Sequence, residues 1–245
     1  MKKYFAKAFL GLCALGTSTV AFAQDAAQPA VESGLYQALK VKFIEGGADF
    51  MSSIAIVLIF GLAFALERII YLNLAEINTQ KFLKGLEDAL DKGDVEGAKA
   101  LARDTRGPIA SIAYQGLMRL DQGIDVVEKS IVSYGGVQGG LLEKNLSWVT
   151  LFIAMAPSLG FLGTVVGMVM AFDKIEQVGD ISPTVVAGGM KVALITTIGG
   201  LIVALILQVF YNYLLTKVEA LLNQMEDASV SLVDMVYKYN LKFKK

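Results

Sequence analysis

Two stretches of this chain run without a single charged residue over lengths that a water-soluble core helix rarely reaches: Asn145 to Phe172, and Val192 to Thr216, the latter bracketed by Lys191 and Lys217. At about 1.5 Å of rise per residue, each is long enough as a helix to cross the roughly 30 Å hydrocarbon core and protrude. A third uncharged run, Phe50 to Leu66, is closed by Glu67-Arg68 and extended by Ile69 to Leu72. The periodicity therefore predicts three transmembrane helices, over 50–72, 145–172 and 188–216. No strand-rich segment, repeat or low-complexity tract competes with that reading, and the fold class is an all-α membrane protein with long cytoplasmic helical extensions.

Composition agrees: 55% of residues are hydrophobic and 18% charged, with a mean hydropathy of +0.55, too apolar for an ordinary soluble domain. The net charge of -1 creates no field that would attract nucleic acid. A single cysteine and no histidine remove disulfide frameworks, Cys/His zinc sites and every histidine-based triad, so no cofactor and no metal site is expected and the chain does not read as an enzyme. Asp173, Glu176 and Asp180 could be imagined as an acid/base or metal site, but scattered carboxylates in a hydrophilic turn are usually solvated.

The N-terminus carries Lys2, Lys3 and Lys7, then an apolar run to Phe22, then Ala21-Phe22-Ala23. This is the pattern of a cleavable signal peptide over 1–23, which would take Cys13 with it. An N-terminal periplasmic arm follows over 24–49, with Leu35, Leu39, Phe43 and Ile44 in a mildly amphipathic stretch. The region 73–144 is rich in Lys and Arg, whereas the 173–187 connection holds only Lys174. The positive-inside tendency thus puts 73–144 and the 217–245 tail in the cytoplasm and the 173–187 loop in the periplasm of a multi-pass inner-membrane protein. Within 73–144, Phe82, Leu83, Leu86 and Leu90 share a helical face, Asp94 is placed to cap a helix from Val95, and Gly107-Pro108 breaks the series before Ile109. From Ile124 the helical pattern leads directly through Trp148 into the second span. The stripe of Val218, Leu221, Leu222, Met225, Ser229, Leu232 and Val236 carries the third helix far beyond the membrane.

Inside the spans, small residues recur at intervals of three and four. The second places Ala156, Gly160, Gly163, Thr164, Gly167 and Ala171 on one face; the third does likewise with Gly189, Ala193, Thr196, Thr197, Gly200 and Ala204. Such faces bring helices into close approach, and packing alone accounts for any isolated Gly-x-x-x-Gly. Thr164 and Thr197, however, lie at matched depth, about 12–15 Å below one boundary, and can form a single polar layer. Apart from Glu67, which closes the first uncharged run, the spans hold no carboxylate, whereas a proton relay needs an ionisable group, so a partner helix must bring one. Lys191, one turn inside the third helix, is expected to snorkel to the surface.

The segment from Leu142-Glu143-Lys144-Asn145-Leu146-Ser147-Trp148 through Ala156-Pro157-Ser158-Leu159-Gly160-Phe161-Leu162-Gly163-Thr164-Val165-Val166-Gly167-Met168 resembles the MotA/TolQ/ExbB proton-channel family, nearest its ExbB branch. The likeness continues at Ala187-Gly188-Gly189-Met190, Ala193-Leu194-Ile195-Thr196-Thr197 and Phe210-Tyr211-Asn212. It implies a homo-oligomer, a pentamer, in the lipid bilayer around a dimer of ExbD-like single-span helices whose aspartate carries the proton, with a TonB-like effector as output. Thr164, Thr197 and Thr196 would then line the pathway, with Gly160, Gly163, Gly167, Gly189, Ala193 and Gly200 in helix packing. The implied function is the channel-forming subunit of a motor that energises TonB-dependent transport across the outer membrane. The alternatives are a TolQ-like envelope-maintenance motor, a gliding or secretion motor, and a passive scaffold whose small-residue faces only hold helices together.

Overall fold

The computed structural model describes residues 35–179 and 183–243; the signal segment with Cys13, the arm up to residue 34, Asp180 and the last two residues lie outside the described residues. Every regular element among them is helical: α1 (Leu35–Glu45), α2 (Ala48–Ala75), α3 (Thr79–Asp91), α4 (Val95–Asp104), α5 (Pro108–Leu117), a 3₁₀ turn (Leu120–Gln122), α6 (Ile124–Glu143), α7 (Leu146–Val178) and α8 (Pro183–Phe243). The chain divides into two compact units, residues 1–43 and residues 44–245. The first contains most of α1. All that follows concerns the second.

Three helices are long and apolar enough to cross a membrane, and they contain the three predicted runs. With 28 residues α2 is about 42 Å long, with 33 residues α7 is about 50 Å, and with 61 residues α8 is about 92 Å. Each therefore exceeds the bilayer core. Their outward sides stay apolar: Ile59, Phe161 and Leu205 are at least 65% exposed, an arrangement that water would penalise and lipid or a neighbouring subunit does not. Within the membrane segment α2 packs on the other two through Ile54, Val57, Ala156, Val203 and Leu207. Phe64 adds stacked and tilted ring contacts to Trp148 and Phe152 of α7, with centroids 5.8 and 5.9 Å apart.

A second and larger core lies where α3 to α6 gather around the inner part of α8. Phe82, Leu86 and Leu90 of α3 and Ile109, Ile112 and Leu117 of α5 are buried in one cluster with Leu214, Val218, Leu221, Met225 and Leu232 of α8. The local stops are chemical. Asp94 accepts from the Gly97 amide at 2.8 Å and caps α4, and Asn78 caps α3 by accepting from the Lys81 amide. Gly107, at φ +108°, turns the chain into Pro108 at the first position of α5.

The helix expected to run unbroken from Ile124 through Trp148 is interrupted. Lys144 leaves the helical conformation and Asn145 adopts φ 66° before α7 begins at Leu146. Asparagine accepts the left-handed region at low cost, so one residue suffices to re-aim the chain. That break is held from α2. The Arg68 guanidinium, only 4% exposed, donates two 2.8 Å bonds to Glu67 and one of 3.3 Å to the Leu141 carbonyl, and it covers the Tyr71 ring at 4.4 Å. The Asn145 amide donates back to Glu67 at 3.5 Å. Glu67-Arg68, read from sequence as a simple polar stop, is thus a clamp between the end of the first span and the start of the second. Because Glu67 is half exposed, breaking the clamp costs less than a fully buried pair would. Arg68→Ala is expected to destabilise the detergent-solubilised protein by about 1–3 kcal/mol, and Arg68→Lys by less. Unfolding midpoints of the two variants measure this, and an unchanged midpoint for Arg68→Ala removes the clamp.

Candidate functional site

The helices α7 and α8 run antiparallel and touch along a seam of small residues whose register never slips. A methyl group on Gly189 would lie 2.4 Å from the Ala171 Cβ, one on Gly167 would lie 3.3 Å from the Ala193 Cβ, and one on Gly163 would lie 2.8 Å from the Thr196 Oγ1. Further along, a methyl on Gly160 would meet the Thr196 carbonyl oxygen at 3.0 Å, and one on Gly200 the Ala156 carbonyl oxygen at 2.4 Å. At Gly160 and Gly200 backbone lies directly against backbone, and at Gly163, Gly167 and Gly189 the backbone lies against small side chains of the other helix. Every residue singled out for packing, Gly160, Gly163, Gly167, Gly189, Ala193 and Gly200, lies in this seam.

The three threonines occupy two different environments. Thr196 is fully buried against Gly163, and its hydroxyl donates to the Ala193 carbonyl at 2.7 Å within its own helix. Thr164 and Thr197 sit at the edge of the seam, partly exposed, with their hydroxyl oxygens 3.1 Å apart. Four carbonyl contacts surround that pair, the longest being Thr197 to the Ala193 carbonyl of its own helix at 3.5 Å. Thr164 can donate to Phe161 at 2.7 Å or to Gly160 at 3.3 Å, and Thr197 can donate across the interface to Gly160 at 3.2 Å. Each hydroxyl has one proton, so the pair has two directions: Thr197 donates to Thr164 while Thr164 donates to Phe161, or Thr164 donates to Thr197 while Thr197 donates to Gly160. A chain of oxygens that can be reversed in this way can pass orientation to a water or carboxyl beside it. It cannot hold an excess proton itself, because a threonine hydroxyl does not titrate near neutral pH.

Charge is confined to the ends of the spans. Lys191 does not simply extend to the surface: its ammonium lies 2.8 Å from the Glu45 carboxylate, which ties the chain just before α2 to the start of α8. Gly46 reinforces the tie, since a methyl there would lie 2.8 Å from the Ile195 Cγ2. Sequence reading missed this pair because nothing in a linear pattern relates positions so far apart. Asp173 and Glu176 are exposed near the end of α7.

The seam predicts an asymmetric response to added methyl groups. Gly200→Ala is expected to cost roughly 2 kcal/mol or more, because its Cβ meets rigid backbone. Gly136→Ala on α6, where a Cβ meets nothing within 4 Å, is expected to be neutral or to stabilise by about 0.5–1 kcal/mol. Paired thermal-unfolding measurements of the two variants check the contrast, which equal effects would contradict.

Comparison with known proteins supplies the context of this geometry. The chain is 29% identical over 187 residues to the biopolymer transport protein ExbB homolog of Methanothermobacter thermautotrophicus, a match covering 76% of this chain and 66% of that relative. It is 36% identical over 77 residues to biopolymer transport protein ExbB of Aquifex aeolicus, covering 31% of this chain and 52% of the relative. With biopolymer transport protein exbB1 of Vibrio cholerae it shares 40% identity over 63 residues, 25% of this chain and 28% of the relative. In each case the match spans less than two thirds of the relative's length. A family model covers residues 104–227, a range that contains the whole seam, both partly exposed hydroxyls and the part of the second core contributed by α5, α6 and α8 up to Met225. The chain belongs to the MotA/TolQ/ExbB proton channel family.

Proposed function

We propose that this chain is the channel-forming subunit of a motor driven by the proton-motive force, and that it energises TonB-dependent transport across the outer membrane. The observation that carries this reading is the Thr164–Thr197 hydroxyl pair, 3.1 Å apart and only partly covered, in the middle of a seam otherwise closed by glycine and alanine. The hydroxyl protons are satisfied within the pair and by carbonyls, but the partly exposed oxygens keep free lone pairs that a polar neighbour or water can meet. In this reading several copies, five by family likeness, surround a dimer of ExbD-like single-span helices whose aspartate takes up and releases the proton. The hydroxyls stabilise that carboxyl in both of its protonation states, accepting from the acid and donating to the anion. Thr196, buried inside its own subunit, supports the backbone behind the pair.

The topology in this proposal follows the distribution of charge. Residues 1–23 are the signal peptide and 24–49 a periplasmic arm; 73–144 and 217–245 lie in the cytoplasm, and 173–187 form the periplasmic loop of a protein in the inner membrane. The biopolymer-transport names of the relatives support a role in moving material across the envelope, and a TonB-like effector would take up the output.

Thr164→Val and Thr197→Val preserve shape and remove one hydroxyl each. Each is expected to lower proton-dependent uptake by at least about tenfold, the scale of losing one hydrogen bond to a charged partner, while the assembly purifies with unchanged mass. Uptake by energised cells, with and without a protonophore, reads the effect. Full uptake by both variants, or uptake indifferent to the protonophore, rejects the reading.

A further inference from the structure

The end of the bundle where α2 begins, α7 ends and α8 begins holds a cavity of about 520 Å³. That volume suits a small ligand or part of a larger one. Phe50, Val166 and Met170 give it an apolar wall, Gly188 leaves part of it open, and two charged residues of opposite sign face it, Asp49 from the first turn of α2 and Lys174 from the last turns of α7. Both charged residues are exposed, and they form no ion pair with each other or with any other described residue. They face one cavity and do not close across it. Met170 is 59% exposed on the flank of α7, so the apolar wall continues onto the surface that a bilayer covers.

From this arrangement we infer that the cavity is a site for a zwitterionic phospholipid, phosphatidylethanolamine. Its ammonium belongs beside Asp49, its phosphate beside Lys174, and the first part of an acyl chain along Phe50, Val166 and Met170. Charge selects the headgroup. A purely anionic lipid would satisfy Lys174 but leave Asp49 facing a like charge, with Asp173 and Glu176 adding negative potential on the same helix end. A choline headgroup carries its charge behind methyl groups and cannot donate a hydrogen bond to the carboxylate, whereas an ethanolamine ammonium has three donors. A soluble zwitterion would fill the polar end and leave the apolar wall bare. The inference needs the chain to span a bilayer but does not depend on proton conduction.

The test uses the full-length protein in its native assembly, reconstituted into nanodiscs of phosphatidylethanolamine, phosphatidylcholine or phosphatidylglycerol. Lipid retained after mild extraction is counted by native mass spectrometry. Phosphatidylethanolamine is expected to be retained about tenfold over the other two, the ratio that one charge-assisted hydrogen bond supports. Asp49→Asn should bring the ethanolamine-to-choline ratio close to one, and Lys174→Gln should weaken retention of all three lipids. Gly188→Leu fills the cavity from a position whose Cβ meets nothing within 4 Å, and it should release the lipid with helix content unchanged. Equal retention of the three lipids overturns the site, as does an ethanolamine preference that survives Asp49→Asn. A photo-reactive group at Met170 that cross-links to another protein helix in place of lipid overturns it too.

Discussion

At Gly200 the backbone of α8 comes so near the Ala156 carbonyl oxygen that an added methyl carbon would lie 2.4 Å away, and at Gly189 one would lie 2.4 Å from the Ala171 Cβ. In water, burying apolar side chains would suffice to join two helices. In lipid it does not, because the tails are as apolar as leucine and leaving them brings no hydrophobic gain. What remains is dispersion between closely fitted surfaces, weak hydrogen bonds from Cα–H groups and the few polar side chains that can reach across. All three need the close approach that only glycine, alanine and small hydroxyl residues permit, so the seam is the condition on which the membrane part of the fold rests.

The same seam determines what the hydroxyls can do. Threonine in a span usually bonds only a carbonyl of its own helix, and both Thr164 and Thr197 keep such contacts, to Phe161 and Ala193. Close spacing puts their oxygens 3.1 Å apart and lets Thr197 reach the Gly160 carbonyl of the neighbouring helix. The hydroxyls are thereby held at a fixed place, with a proton order that can reverse. Fixed donors at a low-dielectric site favour a charge far more than mobile ones do, since they need no reorganisation when it arrives. The uncharged runs 50–66, 145–172 and 192–216 bring no acid of their own to the pair.

Much of this was legible in the sequence because membrane helices obey a coarse rule: uncharged length sets the spans, and the three-and-four spacing of glycine sets the contact face. Asp94 as a cap and Gly107-Pro108 as a break were readable for the same reason, each being a local chemical signal. Besides the Lys191–Glu45 pair, three features were not. Arg68 looked like a surface charge because a guanidinium beside a carboxylate at the end of a span is usually solvated, and only the Leu141 carbonyl and Tyr71 ring, brought in by tertiary packing, bury it. Asn145 gave no clear break, since asparagine is tolerated inside helices as well as in the left-handed region. Whether Thr196 or Thr197 faced the seam could not be told from their adjacency: neighbours on a helix point about 100° apart, and the contact with Gly163 selects Thr196.

The two membrane helices of the seam differ in how they continue, and that difference bears on how force could leave the site. The start of α7 is separated from α6 by the turn at Asn145, which the Arg68 clamp holds to α2. No such joint exists in α8, which is one helix from Pro183 to Phe243 and has Thr197 near one end and Leu214, Leu221 and Leu232 buried in the second core. A helix of about 92 Å bends gently but does not shorten, because every turn is locked by its own hydrogen bonds. Movement of the Thr197 backbone is therefore carried along α8 into the packing of α3 and α5 around it, whereas the helix that holds Thr164 ends at the Asn145 turn before α6. Of the two hydroxyls, Thr197 is the one on a helix that continues unbroken into the second core.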